Sequence, residues 1–507
     1  MRKRASVMVG RDNEFRVVEQ ALAAARMGQG GAVFVVGESG IGKSRLAALA
    51  ADQGFAEGMS LLRGRGSVIG PMVPFRSLTE ALMSLLDSGD PIDVGKLGPY
   101  RHILARLIPD WGPPPSAEEG GSPVALAEAV RRLTGLAGRG RGCLLVLDDM
   151  QDFDAETLAV VEYLADNLSR QPVLLLGTVR THPGPALDLV RMAAQRGSGE
   201  LVELHRLAAG DLRLLVASYL ETSPDTIPDE LVEHLYAGSE GIPLFAEQLL
   251  NEMLDDRLLV PVGDRWRVAG ELRAKARVTL TRVMDRRLDV IGAEGRELLS
   301  VAAVLGRRFP VAVLQVATGL GDRALLSHLR DELISQLVTP DEETPDWYAF
   351  GHPMIRDALL ALITPGERTR LTRRAAAAVQ TVHPGLPGEW CQLAATLYQQ
   401  AGDAARAGRL FADAGRRALA LGAAASAVRL LDRALELLAG GGSNGDSDTA
   451  HVRADAFASL LYALAEAGEV ERAVASAGQL EHLAGLLSPS ARAQLHTRLA
   501  WAATVAG

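Results

Sequence analysis

Residues 37–44 read Gly37-Glu38-Ser39-Gly40-Ile41-Gly42-Lys43-Ser44, directly after the apolar run 32–36 and directly before a helical pattern. No other segment constrains the fold of this chain as tightly. The spacing is that of a loop that leaves a buried strand and feeds a helix N-terminus. Glycines at 37, 40 and 42 let backbone N–H groups curl inward where a side chain would collide. The helix N-terminus adds partial positive charge, so the loop is suited to a phosphate. Lys43 then reaches the outer phosphates, and the Ser44 hydroxyl is placed to hold Mg2+. Lysine occurs only at Lys3, Lys43, Lys96 and Lys275, so its presence at this position carries weight.

The first 205 residues supply the context. Apolar runs at 32–36, 59–62, 144–147, 173–176 and 201–204 alternate with longer amphipathic stretches. That alternation predicts a parallel sheet covered by helices on both faces. The run Cys143-Leu144-Leu145-Val146-Leu147 ends in Asp148-Asp149. A buried strand of this kind delivers Asp148 to the carboxyl edge of the sheet, where Mg2+ sits. Asp149 is then placed to orient or deprotonate an attacking water. A further strand ends in Gly177-Thr178-Val179-Arg180, which makes Arg180 a candidate sensor of a terminal phosphate. Cys143 reads as a small buried hydrophobe. Residues 111–123 are rich in Pro and Gly and read as a loop. The helical stretch 78–86 after Pro74-Phe75 fits either a lid or the core.

A chain of 507 residues predicts three or four domains. Hydrophobic residues make up 48% but aromatics only 4%, so Leu, Val and Ala must build the cores. The net charge of −9 argues against a chain that wraps nucleic acid along its whole length. Two distant cysteines, Cys143 and Cys391, exclude a disulfide scaffold and suit a reducing, cytoplasmic setting. No apolar run is long enough for a membrane span. The basic start, Met1-Arg2-Lys3-Arg4, lacks the apolar stretch of a signal peptide.

After residue 205 the strand signal thins. Stretches 207–219 and 230–254 read as helices, and 258–262 with 265–268 read as a hairpin around Gly263-Asp264. Helical patterns return over 283–337, followed by a loop at 340–346 and a short run at 347–350. This order predicts a winged-helix module. From 366 onward the chain is Ala- and Leu-rich helix. Gly402-Asp403, Ala407, Phe411 and Ala414 fall at tetratricopeptide-like offsets, which Gly422, Ala427, Leu431 and Ala434 repeat and Gly468 with Ala473 weakly echo. The glycines are 20 and then 46 residues apart, so the array is degenerate rather than regular. Residues 440–448 read as a flexible break, and Trp390, Tyr398 and Trp501 as lining for a ligand groove or as core. The expected domains are 1–205 (phosphate-loop sheet), 206–257 (helical lid), 258–365 (winged helix) and 366–507 (helical array).

An ordered set of motifs carries a family likeness. It comprises Val9-Gly10-Arg11-Asp12-Asn13-Glu14-Phe15, the phosphate loop, residues 147–154, Gly177 to Arg180, Gly241-Ile242-Pro243-Leu244-Phe245 and Phe350-Gly351-His352-Pro353-Met354-Ile355-Arg356-Asp357. The set resembles the signal-transducing ATPases with numerous domains (STAND), and among them the large ATP-binding regulators of the LuxR family. The likeness extends over essentially the whole chain. It implies an α/β P-loop ATPase domain, AAA-like, then an all-α lid, a winged helix and a tetratricopeptide-like array. It implies ATP and ADP as ligands, with Mg2+ held by Ser44 and Asp148. By it, Gly37, Glu38, Ser39, Gly40, Ile41, Gly42, Lys43, Ser44 and Arg45 hold the nucleotide. Gly10 and Arg11 lie near the adenine or ribose, and Pro243 touches the adenine side. Arg180 is the first sensor, and His352 sits near the β-phosphate and reports ADP. Two departures stand out. Family members commonly carry His-Trp shortly after the paired acids, where this chain has Met150-Gln151-Asp152. They also end in a DNA-binding helix-turn-helix, and the last 60 residues here show no basic recognition helix. The resemblance thus implies a truncated regulator, or one that reaches DNA through a partner.

These readings converge on a nucleotide-controlled switch. ADP holds lid and winged helix closed. An inducer at the array, a small molecule or a protein, acts with ATP to open the chain and permit self-association. Slow hydrolysis resets it. A swing from 1:99 to 99:1 requires ~5.5 kcal/mol of differential binding. The competing reading is an ATP-driven remodeller or loader, with faster turnover, a ring and an arginine from a neighbouring subunit. A small-molecule kinase accounts poorly for the roughly 300 residues beyond the sheet. A protein-docking role for the array is compatible with the switch.

Overall fold

The computed structural model describes residues 8–66, 74–87, 93–112, 123–255, 257–262, 265–269, 280–331, 334, 337–341, 344, 346–351, 353–440 and 447–477, and a few positions thereafter. Strands β1 (Gly31–Gly37), β2 (Ser60–Arg65), β3 (Cys143–Asp148), β4 (Val173–Arg180) and β5 (Glu200–Leu204) form one sheet in the order β2-β3-β4-β1-β5. All its pairings are parallel. Val33, Val35, Leu144, Val146, Leu174 and Leu176 face a core shared with α1 (Asp12–Arg26) and α2 (Lys43–Ala56). Phe34, Val36, Leu145, Leu147 and Leu175 face the opposite core, built with α3 (Arg76–Asp87), α4 (Tyr100–Leu104), α5 (Pro123–Ala137), α6 (Ala155–Asn167) and α7 (Pro185–Arg196). Because both faces are covered, the inner strands β1, β3 and β4 are nearly unbroken apolar runs, whereas the edge strands β2 and β5 alternate between buried and more exposed positions. Leu78, Leu82 and Leu85 of α3 are fully buried beside β2, so this helix belongs to the core.

Helices α8 (Ala209–Tyr219), α9 (Asp229–Ser239) and α10 (Pro243–Asp255) enclose a separate core. The stretch read as helical over 230–254 consists of two helices. Glu240 and Gly241 take φ of 50° and 80°, and Pro243 starts α10, where its missing N–H costs nothing. Strands β6 (Leu259–Val262) and β7 (Arg265–Val268) pair antiparallel as the hairpin pattern predicted. Leu259, Trp266 and Val268 pack on this helical core rather than on the module that follows.

That module runs α11 (Leu280–Leu305), β8 (Arg308–Pro310), α12 (Val311–Thr318), α13 (Asp322–Arg330), β9 (Val338–Pro340) and β10 (Trp347–Phe350). Its antiparallel sheet has the order β8-β10-β9, which is the winged-helix arrangement. Strand β8 interrupts the stretch that periodicity read as helical over 283–337, because three residues are too few to register as a change of period.

Helices α14 (Pro353–Leu362), α15 (Pro365–Val382), α16 (Trp390–Gln400), α17 (Ala404–Ala420), α18 (Ala424–Gly440), α19 (Ser447–Glu466) and α20 (Val470–Ala477) complete the described chain. Gly402, Gly422 and Gly468 turn between helices at φ of 79°, 70° and 79°. Gly408 and Gly415 bring α18 close to α17, for an added Cβ would stand 2.7 Å from Leu438 and 2.6 Å from Leu431. Phe411 and Leu431 fill the space between the helices and are fully buried. Trp390 stacks on His383 at 3.7 Å and lies 5.7 Å from Trp347 of the winged helix, and buried Tyr398 donates to Gln380. Both therefore serve packing, not an open groove. Trp501 and residues 441–446 of the expected break lie outside the described residues.

Candidate functional site

The loop after β1 closes on itself around Lys43. Its Nζ donates to the carbonyls of Gly37 at 2.9 Å and Glu38 at 2.8 Å. Gly40 and Gly42 have φ of 81° and 109°, backbone that L side chains rarely adopt. Burial lowers the Lys43 pKa to about 8, against the pull of Asp149 and Asp148. Ser44 Oγ donates to Asp148 Oδ1 at 3.0 Å. This pair of hard oxygen donors at a helix N-terminus fits Mg2+, whose other ligands come from water and phosphate. Among the described residues no group of three or more His, Cys, Asp or Glu could hold a metal alone.

Thr178 joins β4 to the two acids. Its hydroxyl donates to Asp148 Oδ1 at 2.5 Å and accepts the backbone N–H of Asp149 at 2.9 Å. Asp149 itself is 5% exposed and sits in the left-handed region at φ 57°. Gln151 Nε2 donates to Asp149 Oδ1 at 2.9 Å, and Arg180 Nη2 lies 3.9 Å from the same oxygen. The other oxygen is bonded to Arg307, which precedes β8 in the winged helix. Burial works to raise the Asp149 pKa, but Arg307, Gln151 and Arg180 together hold the carboxyl below the usual range. Arg65, at the end of β2, stands 3.5 Å from Asp148 Oδ2.

Two segments roof this floor. From the helical side, Leu244 N–H donates to Gly40 O at 3.4 Å, and Arg206 bridges Glu38 at 2.9 Å and Glu240 at 2.6 Å. From the winged helix, buried Arg308 donates to Glu80 Oε1 at 3.0 Å and to Asp341 Oδ1 at 2.8 Å. The cleft between them has a volume of about 520 Å3. Met8, Val9, Leu207, Leu215, Pro243 and Leu244 give it an apolar part. Lys43, Arg63, Arg65, Arg180, Arg307 and Arg308 also line it and outnumber the acids Asp149, Glu247 and Asp341. A ligand with an apolar group and a polyanionic group suits such a lining.

The structure brings Arg11, Ser39 through Arg45, Asp149, Arg180 and Pro243 to this one cavity, with Asp148 beneath it on Ser44. Arg11 is 5% exposed and bonded to the carbonyl of His205. Gly10 supports the wall from behind, where a Cβ would stand 2.7 Å from Asp211. Glu38 is turned away into the Arg206 bridge. His352 lies outside the described residues. Sequence reasoning missed Arg307, Arg308, Arg65, Gln151 and the bridging role of Thr178. The adjacent pair Arg307-Arg308 after an apolar helix was the available signal for the first two. Cys143 is fully buried and its thiol is pushed up to about 12, as a packing residue should be.

Residues 7–176 match the AAA ATPase domain family. An uncharacterized protein of Rhizobium meliloti (strain 1021) is 24% identical over 472 residues, covering 87% of this chain and 43% of that protein. The chain thus spans less than half the length of this relative. Among solved structures, the chain is similar to a STAND protein with a tetratricopeptide repeat sensor from Pyrococcus horikoshii, at 15% identity and a TM-score of 0.48. That likeness covers 95% of this chain and 65% of the other. The ORC2 protein of Aeropyrum pernix is similar at 14% identity and a TM-score of 0.34, over 74% of this chain and 95% of that one. The AAA family is one of nucleotide-binding ATPases, and among the described residues no helix is long and apolar enough to cross a membrane.

Proposed function

We propose that this chain is an ATP/ADP-controlled signalling switch of the STAND type. The observation that carries the reading is the ion pair between Arg307 and Asp149. A cation from the winged helix occupies the carboxylate that would orient the attacking water. A motor built for continuous turnover gains nothing from such a contact, whereas a switch needs a resting state in which hydrolysis is withheld. In this reading the loop from Gly37 to Arg45 holds the phosphates, with Lys43 on the outer ones. Ser44 and Asp148 hold Mg2+, which supplies charge neutralisation at the phosphates. Arg11 and Pro243 flank the base and ribose, Arg180 senses the terminal phosphate, and Asp149 orients water once Arg307 withdraws. His352 is assigned to reporting ADP by the sequence resemblance alone.

The working units are the sheet domain (1–205), the lid (206–257 by sequence, joined by the hairpin β6–β7 that packs on its core), the winged helix (the rest of 258–365) and the array (366–507). The array senses an inducer or protein partner, ATP promotes self-association, and the protein works in the cytoplasm. Its output is transcriptional, as in the LuxR-family regulators it resembles, through a DNA-binding segment or partner.

The test is nucleotide content and size-exclusion mass of the purified protein in ADP and in ATP–Mg2+, for wild type, Lys43→Ala and Arg307→Ala. Bound ADP in a monomer that assembles with ATP, lost in Lys43→Ala and exaggerated in Arg307→Ala, supports the switch. Brisk constitutive hydrolysis at a nucleotide-independent mass would favour a remodeller or loader instead.

A further inference from the structure

We propose that Gln151 is a positioning residue that sets the Asp149 carboxylate against the strand end carrying Arg180, so that hydrolysis depends on it and nucleotide binding does not. The inference rests on the ATP-hydrolysing reading above.

The backbone ladder between β3 and β4 ends at the pair Leu147 and Gly177. Beyond that pair, side chains hold the two strand ends together. Thr178 on β4 receives the N–H of Asp149 at 2.9 Å. Gln151 makes the reciprocal link, its Oε1 accepting the N–H of Arg180 at 3.1 Å while its Nε2 donates to Asp149 Oδ1 at 2.9 Å. The same Nε2 lies 3.2 Å from Asp152 Oδ2. A carboxamide suits this place because it carries an acceptor and two donors in one plane. Arg307 holds only Oδ2 of Asp149 and arrives from another module. When it withdraws, Gln151 still donates to Oδ1 from the turn next to Asp149. A rotation of that carboxylate moves the water it orients, and a misplacement of about 1 Å costs on the order of 100-fold in rate. Gln151 does not line the cavity, so nucleotide affinity has no direct dependence on it.

Three variants of the full chain separate the roles. Gln151→Met keeps the volume and loses all three hydrogen bonds. Gln151→Glu keeps the acceptor, loses the donor and sets a like charge beside Asp149. Gln151→His returns one acceptor and one donor in the neutral ring. For each, the affinity for ADP and for a non-hydrolysable ATP analogue is measured, with single-turnover hydrolysis and retention of ADP–aluminium fluoride. The expected result is unchanged affinity for both nucleotides in all three. Met and Glu lower hydrolysis by roughly 10- to 100-fold and lose aluminium fluoride retention, and His recovers part of each. Hydrolysis by Gln151→Met at the wild-type rate would overturn the proposal and leave the switch intact. So would a loss of ADP affinity in step with the rate, which would mark a merely structural role. Wild-type protein that neither hydrolyses ATP nor distinguishes ADP–aluminium fluoride from ADP would overturn the reading of the site itself, and this proposal with it.

Discussion

The Glu156 carboxylate is buried against the first turn of α18, where it accepts the backbone N–H of Ser426 at 2.8 Å and the Ser426 hydroxyl at 2.6 Å. Glu156 lies in the first turn of α6, a few residues after Asp149, so one side chain sits at the positive ends of two helices. It fastens the helical array directly to the segment that carries the paired acids. Glu156→Ala and Ser426→Ala should each cost about 1–3 kcal/mol, because each leaves a buried partner unsatisfied. Their combination should cost clearly less than the sum, as contacting residues do. Thermal melts over the double-mutant cycle measure this, and proteolysis should cut more readily between ATPase and array in either variant. Additive effects would mean that the two side chains act independently.

Gly40→Ala should weaken nucleotide binding by about tenfold or more. The residue has φ of +81°, and a Cβ would stand 3.1 Å from Leu244 Cβ. Strain in the left-handed region adds to a wedge between the phosphate loop and the start of α10. Fluorescent ADP titration reads the loss directly. The same substitution at Gly210, where a Cβ meets nothing within 4 Å, should leave affinity unchanged.

Thr178→Val keeps the shape of the side chain and deletes both its hydrogen bonds. The buried N–H of Asp149 is then orphaned, at a cost of about 1–3 kcal/mol. Asp148 also loses a donor at 2.5 Å. Hydrolysis should fall more than ADP affinity does, and Thr178→Ser should restore both stability and rate.

Asp154 gives stability a pH dependence. It caps α6 by accepting from Thr157 and from the N–H of Phe75, and burial raises its pKa from 3.8 to about 6. The folded chain therefore binds this proton more tightly than the unfolded chain. The contribution of this group is complete below about pH 4 and is lost as pH rises through about 6. Moving from pH 7 to pH 5 should stabilise the wild type, through this group, by about 1 kcal/mol. Asp154→Asn should lack that gain, so the difference in melting temperature between the two proteins should shift in favour of the wild type at pH 5.

Much of the fold was legible because local chemistry dictates it. The inner strands β1, β3 and β4 are apolar runs buried on both faces, and such runs between amphipathic helices read as a parallel sheet. The phosphate loop is legible because only glycine takes the backbone it needs. The split between α9 and α10 is marked in the sequence by Gly241 and Pro243, while the left-handed backbone at Glu240 shows only in the structure. Strand β8 escaped notice because three residues carry no period.

The amino-acid order by itself determined the sheet, the glycine loop, the acids that end β3 and the turns of the helical array. Each depends on a few neighbouring residues and their burial. Which distant groups meet Asp149 and Glu156 was decided only by tertiary structure. Arg307 lies 158 positions from Asp149, and Ser426 lies 270 positions from Glu156. A contact of that kind leaves no periodicity and requires no special residue beyond one among many arginines, glutamates or serines. It exists because the packing of winged helix and array on the sheet's carboxyl edge brings the two side chains into a low-dielectric contact, where a partner is obligatory.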